Sequence, residues 1–210
     1  MKLKIIKNTC LSIFMLLLIF SCGDKSTGNS NSKTSAPVRQ QQVANGTFLY
    51  ISDSSNIQQV EIVLEASGNT KINTQRGSYF GEKKGDKLKY YDQQDNFRFE
   101  IKYKDTSFKL RDRNSELLWK VKTYDKKIKL ANNEEMANPI EIKLKNEQKI
   151  VIYKNGEESK TIRIDASKNP LNISNSYFTS GFKNNYQAGI LNLDELSLDE
   201  KYFLLAELNR

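Results

Sequence analysis

Hydrophobic and polar residues alternate with a period of two along most of this chain, starting near Thr47. Phe48-Leu-Tyr-Ile51 opens the pattern and Gln59-Val-Glu-Ile-Val-Leu64 continues it. Phe97, Phe99, Ile101 and Tyr103 share one side of a run whose other side is Arg98, Glu100, Lys102 and Lys104. Phe108 and Leu110 follow, then Leu117, Trp119 and Val121 against Lys120 and Lys122. Ile128/Leu130, Ile140/Ile142/Leu144, Ile150/Ile152 and Ile162/Ile164 repeat the scheme, with turn residues such as Asp105-Thr-Ser107 and Lys154-Asn-Gly156 between runs. Alternation of this kind predicts antiparallel strands with one wet face. Many short strands at regular spacing predict a sandwich or a barrel. Trp119, between two inward positions, is expected in the core or lining the barrel.

The carboxyl end breaks the pattern. Tyr186–Leu193 is apolar and poor in β-branching, and Ser197-Leu-Asp-Glu200 is a capping box feeding Lys201–Leu208. A final helix is predicted, with Leu198, Tyr202, Leu205 and Ala206 on its apolar stripe. Asp199, Glu200, Lys201 and Glu207 are expected to give it a polar side. Tyr90-Tyr91 and Tyr177-Phe178 are expected to flank loops.

Two segments precede the strands. Lys2, Lys4 and Lys7 precede the apolar run Leu11–Phe20, the tripartite layout of an export signal. The apolar run is shorter than the ~20 residues that cross a bilayer. Ile19-Phe-Ser-Cys22 resembles the bacterial lipobox, which predicts cleavage before Cys22 and lipidation of its sulfur. Palmitate-type acyl chains, each buried CH₂ contributing about 0.8 kcal/mol, would hold the chain to a membrane. Gly23 follows, where inner-membrane retention in enteric bacteria places Asp, so the expected location is the cell envelope, at the outer membrane. Residues 23–44 are polar and contain no aromatic residue; such a stretch cannot bury enough to fold and reads as a tether. The expected organisation is therefore a signal peptide over 1–21, lipidated Cys22 and tether over 22–46, and a β-rich domain, sandwich or barrel, with its C-terminal helix over 47–210.

Composition narrows the chemistry. The chain has no histidine, which removes imidazole-dependent triads and zinc sites. It has two cysteines; Cys10 leaves with the signal peptide and Cys22 is consumed by lipid, so no internal disulfide is expected. Phosphate-loop, dinucleotide and calcium-loop motifs do not occur in the sequence. The carboxylate pairs Glu134-Glu135 and Asp194-Glu195 read as solvated turns. No enzymatic activity, cofactor or metal is expected.

The formal charge of +8 falls, by the three charges of Lys2, Lys4 and Lys7, to +5 in the mature chain. Lys102, Lys104, Lys109, Arg111, Lys120 and Lys122 lie opposite apolar residues and form a candidate anion-binding face. The same lysines also suit an ordinary solvent face that protects sheet edges, and Glu100, Glu116 and Glu141 are interleaved with basic residues. Nucleic acid is not an expected partner; an envelope protein or an anionic lipid is.

Strands followed by an apolar helical segment resemble the tubby carboxy-terminal superfamily, which includes the LURP-one-related and phospholipid-scramblase-like proteins. Phe108-Lys-Leu-Arg-Asp-Arg-Asn-Ser-Glu-Leu-Leu-Trp119-Lys-Val121 is similar to that superfamily's hairpin. The resemblance covers roughly 47–208 and implies a closed antiparallel barrel of about twelve strands, with a C-terminal apolar helix packed in or against it. No binding residue carries over position by position. The expected function is a non-enzymatic binding or structural domain of a lipoprotein, or alternatively a lipid or fatty-acid carrier using the barrel interior.

Overall fold

The computed structural model describes residues 46–210, Ala166 excepted. The expected signal peptide, Cys22 and the expected tether lie outside the described residues, apart from Gly46. Fourteen strands form the sheet: β1 Gly46–Asp53, β2 Gln58–Glu65, β3 Thr70–Thr74, β4 Gly77–Lys84, β5 Lys87–Asp92, β6 Phe97–Lys104, β7 Ser107–Asp112, β8 Leu117–Tyr124, β9 Lys127–Ala131, β10 Ile140–Asn146, β11 Lys149–Lys154, β12 Glu157–Asp165, β13 Leu171–Ile173 and β14 Tyr177–Ser180. Each pairs antiparallel with its sequence neighbour, and β14 pairs with β1 to close a barrel. Closure leaves no open sheet edge.

The alternation seen in the sequence puts Leu49, Ile51, Ile62, Ile72, Leu88, Ile101, Leu110, Val121, Ile128, Ile142, Ile150 and Ile173 inside, each with none of its surface exposed. The barrel has fourteen strands where the resemblance implies about twelve, and β13 and β14, with only three and four residues, are too short to display a period. Tyr90-Tyr91 and Tyr177-Phe178 sit at strand ends beside loops, as expected; Tyr90 is nonetheless fully buried in β5, and Tyr177 opens β14 opposite Asp53. The alternation also slips at two strand starts. Register shifts pair Phe97 with Tyr91 and Leu117 with Arg111. Each bulge inserts an extra residue, which moves Phe97 and Leu117 off the inward rows of Phe99 and Trp119.

Because every neighbour is antiparallel, the hairpin turns fall alternately at two ends. At the upper end the loops share one chemistry. The side chains of Asp53, Asp92 and Asp112 each accept two backbone N–H bonds, from residues two and four positions later. Asn56, Asp95 and Ser115 take the left-handed conformation in those loops, and Asn133 with Met136 repeats the arrangement between β9 and β10. Short polar side chains that bond to the backbone two residues on favour this kind of turn. At the lower end the β4–β5, β6–β7 and β8–β9 turns are two residues long, with Gly85, Asp105 and Lys126 left-handed.

After β14 the chain enters the barrel. A 3₁₀ segment, η1 (Asn185–Asn192), climbs from the lower end, and helix α1 (Leu198–Leu208) descends beside it. Tyr186 to Leu191 and Tyr202 to Leu208 are all buried. A helix buried all round is interior, so α1 fills the lumen and does not lie on the barrel's outside. Of its expected polar side, Asp199, Glu200 and Lys201 sit at the upper mouth, half-buried, whereas Glu207 is 6% exposed in the interior. Gly189 marks how closely the plug meets the wall: a Cβ there would lie 2.7 Å from Ile142 Cγ2.

Candidate functional site

The lumen belongs to the chain itself. Phe203 is fully buried, with its ring centroid 4.5 Å from that of Tyr90, 4.6 Å from Phe99 and 5.0 Å from Tyr79. At the upper mouth the predicted capping box forms: Glu200 N donates to Ser197 Oγ at 3.3 Å, and Ser197 N donates to Glu200 Oε2 at 2.7 Å. The indole of Trp119, 8% exposed and facing inward as expected, donates to the other oxygen of Glu200 at 2.9 Å. Tyr79 donates to Asp199 at 2.9 Å; its hydroxyl pKa is pushed up to about 12 by burial, and then by that hydrogen bond. One turn of helix is thus pinned to β4 and β8 by charge-assisted bonds.

The lower part of α1 holds a buried ionic cluster that the sequence pattern does not disclose. Glu207 accepts from Tyr90 Oη at 2.8 Å, from Tyr103 Oη, and from Arg210 Nε at 3.0 Å. Arg210 also donates to Gly68 O at 2.6 Å and to Thr70 Oγ1, so it ties the helix end to the β2–β3 turn and β3. Burial, and then the neighbouring carboxylate, drive the Tyr90 and Tyr103 hydroxyls well above the usual tyrosine range. Burial works against the Arg210 cation, but Glu207 more than offsets it and raises its pKa. Gln187 Nε2 donates to Leu208 O at 2.6 Å and Lys183 N donates to Asn209 Oδ1 at 2.7 Å, which stitches η1 and the preceding loop to the end of α1. The only prior sign was the odd placement of Glu207 among Phe203-Leu-Leu-Ala206 and Leu208.

The Glu207 side chain has no exposed surface and its bonds tie α1 to β5 and β6 and, through Arg210, to β3, so the cluster works as a fastening; a surface groove of about 390 Å³ lies beside Arg210. Among the described residues no group of three or more His, Cys, Asp or Glu side chains is placed to hold a metal ion.

The six basic residues of the candidate face do come together on the outside of the barrel. Lys102 lies directly opposite Lys109, and Lys109 opposite Lys120. Like charges in directly opposite positions destabilise a sheet. One residue compensates half of the group. Glu134, from the upper β9–β10 loop, bonds to Lys109 at 2.6 Å and Arg111 at 2.9 Å, with Lys120 at 3.9 Å. Its hydrogen bond with Lys109 is the main reason its carboxyl pKa is lowered. Read in sequence as a solvated turn, Glu134 is the clamp of this face. Lys87 and Glu100 pair at 3.2 Å beside it. The other three, Lys102, Lys104 and Lys122, have no carboxylate among the described residues within 4.0 Å and lie toward the lower end.

A groove of about 480 Å³ runs over this region between Lys87, Glu100, Lys102, Lys104, Lys109 and Arg111. A second, of about 870 Å³, lies near the lower end of β11 and β12, where Lys149 and Arg163 are directly opposite each other. Both are open surface features lined by polar groups, suited to anionic groups and not to an apolar ligand. Comparison with protein families, with curated proteins and with solved structures finds no match to this chain.

Proposed function

We propose that this chain is a bacterial envelope lipoprotein, anchored through lipidated Cys22, whose plugged barrel is a non-enzymatic binding or structural domain. The observation that carries the reading of the domain is the lumen filled by η1 and α1. With its interior occupied by its own chain, the barrel offers partners its outer surface and its loops. A closed barrel around a C-terminal helix is also the architecture that the tubby-like resemblance implies, a likeness of fold class that carries no function. The anchor rests on Ile19-Phe-Ser-Cys22, and the partner classes it favours are an envelope protein or an anionic lipid, met at the outer membrane.

The alternative reading, a lipid or fatty-acid carrier, needs an apolar lumen. It would require η1 and α1 to leave the barrel, which breaks the Glu207 cluster and the contacts of Phe203. Two measurements test the proposal together. Radiolabelled palmitate should enter the protein and be lost in Cys22→Ser, which should move from the membrane to the soluble fraction or remain as an unprocessed precursor. Crosslinking in intact cells should recover an envelope partner or anionic lipid. Absence of label with unchanged fractionation overturns the anchor; native mass spectrometry showing a stoichiometric fatty acid in the barrel overturns the domain reading in favour of the carrier.

A further inference from the structure

The two ends of the barrel differ in charge, and the difference has different origins at each end. At the upper end, Asp53, Asp92 and Asp112 close their own loops, and Asp199 and Glu200 hold Tyr79 and Trp119. Each of these five acids has a structural task. At the lower end each turn contains or borders one carboxylate (Glu65, Asp86, Asp105, Asp125, Glu147 and Asp165), but the cations of the turns and adjoining strand ends outnumber them, and several have no internal task. Lys102 and Lys104 near the end of β6, Lys122 near the end of β8, and Lys149 at the start of β11 make no ion pair among the described residues and touch no aromatic ring. Lys149 stands opposite Arg163 and Lys102 opposite both Lys87 and Lys109, arrangements that cost stability. Fold maintenance does not explain them.

The start of β1 supplies the second observation. β1 begins at Gly46, opposite Glu65 and beside Arg210, at this same lower end. Any tether that precedes Gly46 leaves the barrel from the basic end. From this geometry we infer that the basic lower rim is a docking face for a bilayer with anionic headgroups, and that it holds the barrel upright with the acidic loops directed away. The inference rests on the anchor reading for its orientation. Phosphate headgroups supply a dense, planar field of negative charge, and a lysine close to such a surface contributes on the order of 1 kcal/mol, about a five-fold change in partitioning. A ring of cations spread over β6, β8 and β11 matches a plane better than it matches one small anion.

The test uses the full chain in two arms. In the first, the lipidated protein is reconstituted into vesicles of phosphatidylcholine with or without phosphatidylglycerol. A fluorophore is placed either at the lower end (Asn146→Cys) or at the upper end (Asn114→Cys), with brominated lipid as quencher. Quenching should be strong at position 146 and weak at 114, only with phosphatidylglycerol, and should fade in high salt. In the second arm the unlipidated Cys22→Ser chain is sedimented with the same vesicles. The quadruple change Lys102→Gln, Lys104→Gln, Lys122→Gln and Lys149→Gln should abolish the extra binding to phosphatidylglycerol, each single change lowering it roughly five-fold. Circular dichroism of the quadruple variant confirms that the barrel is intact. Equal quenching at both ends and no preference for phosphatidylglycerol overturn the docking face while leaving the anchor standing. Failure of the protein to incorporate into vesicles in the first arm refutes the anchor, and the second arm still decides the face.

Discussion

Replacing Glu207 by alanine removes the acceptor on which Tyr90, Tyr103 and Arg210 converge. The glutamate side chain has no exposed surface and that of Arg210 only 17%, so water does not take over the lost bonds. Breaking a buried ion pair by deleting one partner costs about 3–5 kcal/mol, and an orphaned buried hydroxyl adds about 1–3 kcal/mol. Partial relaxation of Arg210 toward the lower mouth offsets some of this, so the expected loss is about 4 kcal/mol. For a domain of this size, with about 2–4 °C per kcal/mol, the melting temperature should fall by on the order of 10 °C. Tyr90→Phe should cost about 1–2 kcal/mol, and the pair should be coupled by more than about 1 kcal/mol in a double-mutant cycle. Urea titration followed by circular dichroism and Trp119 fluorescence gives these values. A loss below about 1 kcal/mol for Glu207→Ala, or strict additivity with Tyr90→Phe, would falsify the assignment of this cluster as the fastening of the plug.

Three further outcomes follow from the same interior. Phe203→Ala, which removes a ring packed on Tyr79, Tyr90 and Phe99, should cost about 3–5 kcal/mol and open an apolar cavity, read by calorimetry and by uptake of a small hydrophobic dye. Gly189→Val forces side-chain atoms against Ile142 and Ile150 and should destabilise by about 1–3 kcal/mol; a thermal melt indistinguishable from the parent would show that η1 is not seated on β10 and β11. The hydroxyls of Tyr90 and Tyr103 have raised pKa values in the folded state, so their stabilising contribution is complete below the unfolded value of about 10. It is lost as pH rises from there toward the folded values. Ultraviolet titration at 295 nm should show exposed tyrosines ionising first and these two only as the barrel unfolds, whereas one smooth titration with the fold intact would contradict their burial.

Much of the architecture was readable because a strand with one wet face writes its orientation into every second residue. The inward rows of β2, β7, β9, β10 and β11 fall where the alternation puts them, and the capping box at Ser197 and Glu200 starts α1 as expected. The errors have local causes. Phe97 and Leu117 were placed on inward rows because a bulge adds a residue without altering the apparent period. β13 and β14 are too short to show a period at all. Glu207 looked like a solvent residue because helical spacing reports composition along one element, not what surrounds it. For the basic face, the six residues were identifiable, yet their division was not: Glu134 lies 23 positions from Arg111 in sequence and its side chain reaches β7 and β8 only because the β9–β10 loop folds over them.

The linear chain fixed the class of fold, since period-two burial and turn chemistry are local properties that need no partner to be read. It also fixed the absence of imidazole and the lipobox-like text Ile19-Phe-Ser-Cys22, which are matters of composition and short motif. Three-dimensional packing alone decided that the helix lies inside the barrel, that a glutamate can be buried because two tyrosines and an arginine meet it, and that lysines with no ion pair among the described residues lie at the same end of the barrel as Gly46. Each of these depends on residues distant in sequence meeting across a closed sheet, and closure is a property of all fourteen strands together.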